Sequence, residues 1–207
     1  MAHKVVSLAL VLVLAFPACG MGRKPLNSVQ ALQANNETFC TAFSINEQEG
    51  LWATAAHCAT YAIEMQVEVT IDHMPAWLVK IGYPEADIAV FQADVHAPAY
   101  RLAETAPVVG ATVIVVGYPW GMARTTTKGI MAARQVPRIH PETHYYLSSD
   151  VLDVRAAPGN SGSPVLNAKG EVIGVLWGVT QGWTHALGVE YESTVRFLRP
   201  FSASGRI

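Results

Sequence analysis

From Thr38 onward the chain is divided into short apolar or alternating runs, and it holds no apolar period of 3.6 long enough for an extended helix. Glu64–Ile71, Ala76–Ile81, Ile88–Phe91, Thr112–Val116 and Val172–Trp177 are the clearest runs, and Gly, Pro, Asp or Asn separates most of them. Strands of this length between frequent turn residues predict an all-β sandwich or barrel. Ala103–Gly110 interrupts the series near its middle and is the expected link between two halves. Ser193–Pro200 has a serine at its start, apolar residues at Val195 and Leu198 and a proline stop, so it predicts one short C-terminal helix. The sequence shows no internal repeat.

Hydrophobic residues make up 51% of the 207, enough for an extensive core. Charged residues are 14% and the net charge is −2, so no field of one sign recruits nucleic acid or an anionic membrane surface. At the N-terminus, Lys4 precedes an uncharged, mostly apolar run from Val5 to Ala18 that ends at Cys19. A bilayer-spanning helix needs ~20 apolar residues, so the shorter run predicts an export signal over residues 1–18. Phe16–Gly20 resembles a bacterial lipobox, which makes Cys19 the expected lipidation site and a membrane attachment point, in the cell envelope or, with ordinary cleavage, a secreted protein. Residues 19–36 are polar and mixed and are expected to form a tether. An exported chain can pair its thiols. Cys40 and Cys58 are the candidates, leaving Cys19 as the odd cysteine.

Three segments carry chemistry. In Ala157–Pro164, glycines flank Ser161 and permit a tight turn in which the N–H groups of Gly159 and Ser161 point to one spot, where an oxyanion can be held. In Trp52–Cys58, small residues precede His57 and leave its imidazole room to reach a cleft. In Glu85–Val90, Asp87 leads directly into a buried-type strand. Each segment has a plainer reading: a Gly/Ser turn, a structural histidine, a strand-start aspartate. Their joint occurrence in the order His57, Asp87, Ser161 favours nucleophilic acyl transfer. A metal site is not expected, because His73, His96, His140, His144 and His185 show no ligand spacing around His57 and Cys58, and no cofactor is implied.

Thr54–Cys58 together with Gly159–Pro164 resembles the chymotrypsin-like (trypsin-type) serine peptidases, whose triad runs in the same order. Val113–Gly121, Thr127–Ile130 and Asp87–Val90 are similar to the HtrA-type branch. Gly159–Pro164, Glu171–Gly174, Trp177–Gly178 and Val195–Leu198 are similar to the V8-type glutamyl endopeptidases. The resemblance implies two six-stranded antiparallel barrels, over residues 37–102 and 109–200, with the active site between them and no PDZ domain after the second. It implies Ser161 as nucleophile, His57 as general base and acid, Asp87 as the group that orients it, and the Gly159 and Ser161 amides as the oxyanion hole. It implies a Cys40–Cys58 disulfide beside His57. Protein or peptide substrates would meet pocket walls near Arg155 on one side and Leu176, Trp177 and Gly178 on the other, with His185 near a third wall. Trp52, Trp77 and Trp120 are expected at core or rim positions.

The chain departs from these patterns in two places. Asn160 replaces the aspartate that pairs with a processed N-terminus, so activation by that salt bridge is not expected. Leu176 stands where the V8-type enzymes have a histidine and many trypsin-type enzymes a serine bonded to the triad aspartate. Thr54 is the expected partial substitute. The alternative function is a catalytically silent peptidase-fold module that binds proteins.

Overall fold

The computed structural model describes residues 28–141, 144–180, 182 and 184–203; the expected export signal and Cys19 lie outside them. Twelve strands form two closed antiparallel barrels. The first contains β1 (Val29–Ala34), β2 (Glu37–Asn46), β3 (Leu51–Thr54), β4 (Val69–Ile71), β5 (Met74–Ile81) and β6 (Ala89–Ala93). The second contains β7 (Thr112–Gly117), β8 (Thr125–Ile139), β9 (Tyr146–Asp153), β10 (Pro164–Leu166), β11 (Val172–Val179) and β12 (Ala186–Val189). Around the first barrel the order is β1-β2-β3-β6-β5-β4, and the second repeats it as β7-β8-β9-β12-β11-β10. The topology is thus duplicated although the sequence shows no repeat.

β1 corrects the expected tether. Val29–Ala34 lies in the 19–36 segment, yet it pairs with both β2 and β4 and closes the barrel. Its inward residues are Val29, Leu32 and Ala34, and a bulge after Leu32 breaks strict alternation, so glutamines at 30 and 33 hide a strand. The first barrel therefore begins before residue 37.

The core is continuous across the two barrels. Val29, Phe43, Ile45 and Leu51 of the first pack in one cluster with Leu166, Val175, Trp177 and Leu187 of the second. Each fully buried side chain of this size contributes ~1.5–3 kcal/mol over an exposed one, so the barrels are held as one body. Trp52 is fully buried, as expected of a core residue, whereas Trp77 and Trp120 are each 62% exposed and belong to the surface.

Among the described residues, two α-helices complete the fold. α2 (Tyr191–Leu198) is the expected C-terminal helix, shifted two residues toward the N-terminus. Its N-cap is Glu190, and Ser193, the start of the expected helix, lies inside it and donates its hydroxyl to the Glu190 carboxylate at 2.9 Å. α1 (Ala56–Glu64) was not expected; it buries a narrow stripe of small residues, Ala56, Cys58, Ala59 and Ala62, too weak an apolar signal to read as a helix. It also shortens the strand expected over Glu64–Ile71 to β4 alone.

Candidate active site

Strand register brings the first two groups together. β3 pairs antiparallel with β6 so that Thr54, the last residue of one, faces Ala89, the first of the other. The residues just after β3 and just before β6 therefore emerge at the same barrel end. These are His57, in the first turn of α1, and Asp87. Ala55, the N-cap of α1, offers no side-chain acceptor, and the N–H of His57 donates to Asp87 Oδ1 at 2.9 Å. The carboxylate thus does the work of an N-cap, stabilised by the positive end of the helix.

Asp87 Oδ2 lies 2.8 Å from His57 Nδ1, with Asp87 fully buried and the His57 side chain 17% exposed. Burial by itself would raise the Asp87 pKa; the charge of His57 and hydrogen bonds from His140 and His57 outweigh it and hold the carboxyl well below the usual range. An ionised carboxylate only accepts, so Nδ1 carries the hydrogen and Nε2 of the neutral ring is left as a base.

The third group comes from the second barrel. Ser161 lies in the second of two successive turns that lead into β10, and it lines a cavity of about 460 Å³ together with His57, Gly159, Phe39, Tyr61 and Glu64. Gly159 has φ +93° and a Cβ there would collide with the Tyr118 carbonyl, while Gly162 has φ +86° and a Cβ would collide with the Thr41 carbonyl and Thr54 hydroxyl. Glycine is required at both for conformation and for space. Thr41 of β2 holds the turn from the opposite barrel: its N–H donates to the Ser161 carbonyl at 2.8 Å and its hydroxyl to the Gly159 carbonyl at 2.7 Å. The hydroxyl also accepts from the Tyr118 N–H at 3.1 Å. With the Gly159 carbonyl held by Thr41, the N–H groups of Gly159 and Ser161 donate to no backbone carbonyl among the described residues.

Leu176 is buried in the core of the second barrel, and only its backbone reaches the turn, accepting from the Gly162 N–H at 2.7 Å. Trp177 is buried, with Nε1 donating to Ser149 Oγ at 3.2 Å. A Cβ on Gly178 would meet open space, so the chain leaves room there. Arg155 is exposed and is not among the residues that line the cavity beside Ser161. The His185 ring contacts the Thr184 hydroxyl at 3.1 Å. Thr54 does not substitute at Asp87, because its hydroxyl donates to the Thr41 carbonyl at 2.7 Å. Asn160 is buried, and its Oδ1 has no hydrogen-bond partner among the described residues.

The partner of Asp87 that sequence reasoning missed is His140, at the end of β8. Its Nε2 lies 3.1 Å from Asp87 Oδ2 and its side chain is 3% exposed. Fifty-three residues separate the pair, so no local spacing could have found it. Among the described residues, two groups of possible metal ligands arise around His57. One consists of His57, Asp87 and His140, which are engaged at hydrogen-bond distances. The other includes Cys40 and Cys58, whose sulfurs are bonded to each other.

That disulfide joins β2 to α1 across 18 residues, directly beside His57 and Thr41. Replacing both cysteines by serine is expected to cost about 3 kcal/mol of unfolding free energy, the loop-closure value for this separation. Urea midpoints of the variant, and of the parent with and without reductant, measure it; equal midpoints would show that the bridge adds nothing.

Two six-stranded barrels, with a hydrogen-bonded His–Asp pair on one and a glycine-flanked serine turn on the other, define a protein of chymotrypsin-like architecture. The profile of the trypsin-like peptidase domain matches residues 40–175. The chain belongs to that family. It is 34% identical over 140 residues to a probable periplasmic serine endoprotease DegP-like of Halomonas elongata, covering 65% of this chain and 28% of the relative. It is 31% identical over 176 residues to the mitochondrial serine protease HTRA2 of Bos taurus, covering 81% of this chain and 36% of the relative. The chain thus spans about a third or less of the length of these relatives. The solved Rv3671c protease from M. tuberculosis in its active form superposes with TM-score 0.67 at 19% identity, over 96% of this chain and 93% of that one. Deg5 superposes with TM-score 0.67 at 21% identity, over 85% and 89% of the two chains.

Proposed function

We propose that the chain is a serine endopeptidase. The observation that carries this reading is the hydrogen-bonded His57–Asp87 pair opening on the same cavity as Ser161. In the proposed reaction Ser161 Oγ attacks the carbonyl carbon of a peptide bond as His57 Nε2 takes its proton. The carbonyl oxygen becomes an oxyanion, which the N–H groups of Gly159 and Ser161 receive; such donors are worth ~10²–10³ each in rate. Collapse breaks the C–N bond, and the leaving amine takes the proton from His57. Water, deprotonated by the same imidazole, then hydrolyses the acyl-enzyme and releases Ser161.

Export suits this reading. The relative from Halomonas elongata is named periplasmic, the disulfide needs a compartment that keeps thiols oxidised, and residues 1–18 read as an export signal. No helix among the described residues is long and apolar enough to cross a membrane. We assign lipidation to Cys19, to be checked by mass spectrometry of the mature N-terminus.

A fluorophosphonate probe is expected to label the purified protein at Ser161, and a proteome-derived peptide library to show turnover with a definable sequence preference. Labelling without turnover would favour a binding module on a peptidase fold, and a folded protein that takes no label would refute the serine mechanism.

A further inference from the structure

We propose that His140 is a positioning residue for the peptidase reaction: a second histidine, supplied by the second barrel, that holds the Asp87 carboxylate of the first in the orientation His57 requires. The inference rests on the peptidase reading above and adds a fourth side chain to it.

Asp87 is fully buried, so each carboxylate oxygen must find donors inside the protein. Oδ1 takes the N–H of His57 at 2.9 Å, while Oδ2 takes His57 Nδ1 at 2.8 Å and His140 Nε2 at 3.1 Å. Without His140 the carboxylate would be held, among the described residues, only by His57, the residue it has to orient. The third contact comes from elsewhere in the fold and makes the orientation independent of where the His57 ring sits.

His140 is itself fixed on several sides. Its ring packs on Trp177 with centroids 5.1 Å apart, and the edge of Tyr83 meets it at 5.7 Å. Tyr83 Oη lies 3.3 Å from His140 Nε2 and is a longer, secondary contact of the same N–H that Asp87 receives. The backbone N–H of His140 donates to the Tyr145 carbonyl at 2.9 Å, anchoring it at the base of the β8–β9 connection. An ionised carboxylate cannot donate, so His140 must present Nε2–H. The ring is too buried to meet substrate, which distinguishes its role from that of His57.

Leu176 and Thr54 explain why a histidine is needed. Neither reaches Asp87: one is a core residue of the second barrel and the other donates to Thr41. A residue from the far end of β8 fills the gap, and it fills it across the barrel interface.

The test compares His140→Leu, which keeps apolar bulk and removes the donor, with His140→Gln, whose amide nitrogen reaches about as far as Nε2, and His140→Asn, whose amide falls short. His140→Leu and His140→Asn are expected to lower kcat about ten- to hundredfold, the range for one hydrogen bond to a buried charge, with KM within about twofold. His140→Gln is expected to recover most of kcat. The low-field NMR resonance of the proton between His57 Nδ1 and Asp87 should persist in the parent and in His140→Gln, and should move or vanish in the other two. Wild-type kcat in His140→Leu, or equal kcat for His140→Gln and His140→Asn in folded protein, would overturn the proposal. If His140→Leu does not fold, the Gln–Asn comparison carries the test. Absence of turnover in the parent enzyme would instead overturn the peptidase reading, and the NMR comparison would still report on His140.

Discussion

Ser161→Ala is expected to lower kcat by about 10⁴- to 10⁶-fold, the scale seen when a serine peptidase loses its nucleophile. The residual rate comes from substrate binding and the oxyanion donors, which need no hydroxyl. Ser161 is only partly buried, and the contacts that hold its turn do not use its hydroxyl: its carbonyl accepts from Thr41 and the next residue's N–H donates to Leu176. Removing Oγ leaves these intact, so unfolding free energy should change by less than about 0.5 kcal/mol. Turnover of a good peptide substrate, measured beside thermal unfolding, separates chemistry from folding. Retention of more than a few per cent of the parent kcat would mean that Ser161 is not the nucleophile.

Asp87→Asn has the second largest expected effect, about 10⁴-fold in kcat. Asparagine keeps the shape but presents an amide, which can turn its NH₂ toward His57 and force the hydrogen from Nδ1 to Nε2, where the proton of Ser161 would have to go. The change also takes charge from the N-terminus of α1, where Asp87 accepts the His57 N–H.

The same aspartate gives a pH signature in stability. Its folded pKa lies below the unfolded value of about 3.9, so its contribution is fully present above that value and is lost as pH falls through it toward the folded one. Urea midpoints of the parent should therefore drop between about pH 5 and pH 2 more steeply than those of Asp87→Asn. Parallel curves would show that Asp87 is not held ionised by its neighbours. The comparison is made between variants because every other carboxylate titrates in the same window.

Those two experiments probe residues that were visible in the sequence, because each carries its local requirement in its neighbours. Ser161 needs backbone conformations open to glycine, and Gly159 and Gly162 at φ +93° and +86° are written beside it. Asp87 precedes an apolar run because it sits just before a buried strand, and His57 has small neighbours because α1 packs closely through Ala56 and Cys58. The barrels were legible for the same reason: short runs between turn residues are a local property. β1 and α1 were not. A bulge broke the alternation of one, and the buried stripe of the other consists of small residues that carry little hydrophobic signal.

The sequence by itself determined the all-β class, and it singled out the three candidate reactive groups and the glycines their turn requires, since these depend on neighbours along the chain. Only the tertiary structure decided what surrounds them. His140 reaches Asp87 from 53 residues away, and Thr41 reaches Gly159 from 118 residues away, each crossing from one barrel to the other. Leu176 and Thr54, which stood nearest the site in pattern, turned into the core and toward Thr41. Satisfying a buried carboxylate or carbonyl depends on which donors come within about 3 Å in space, and strand register and barrel closure set that distance.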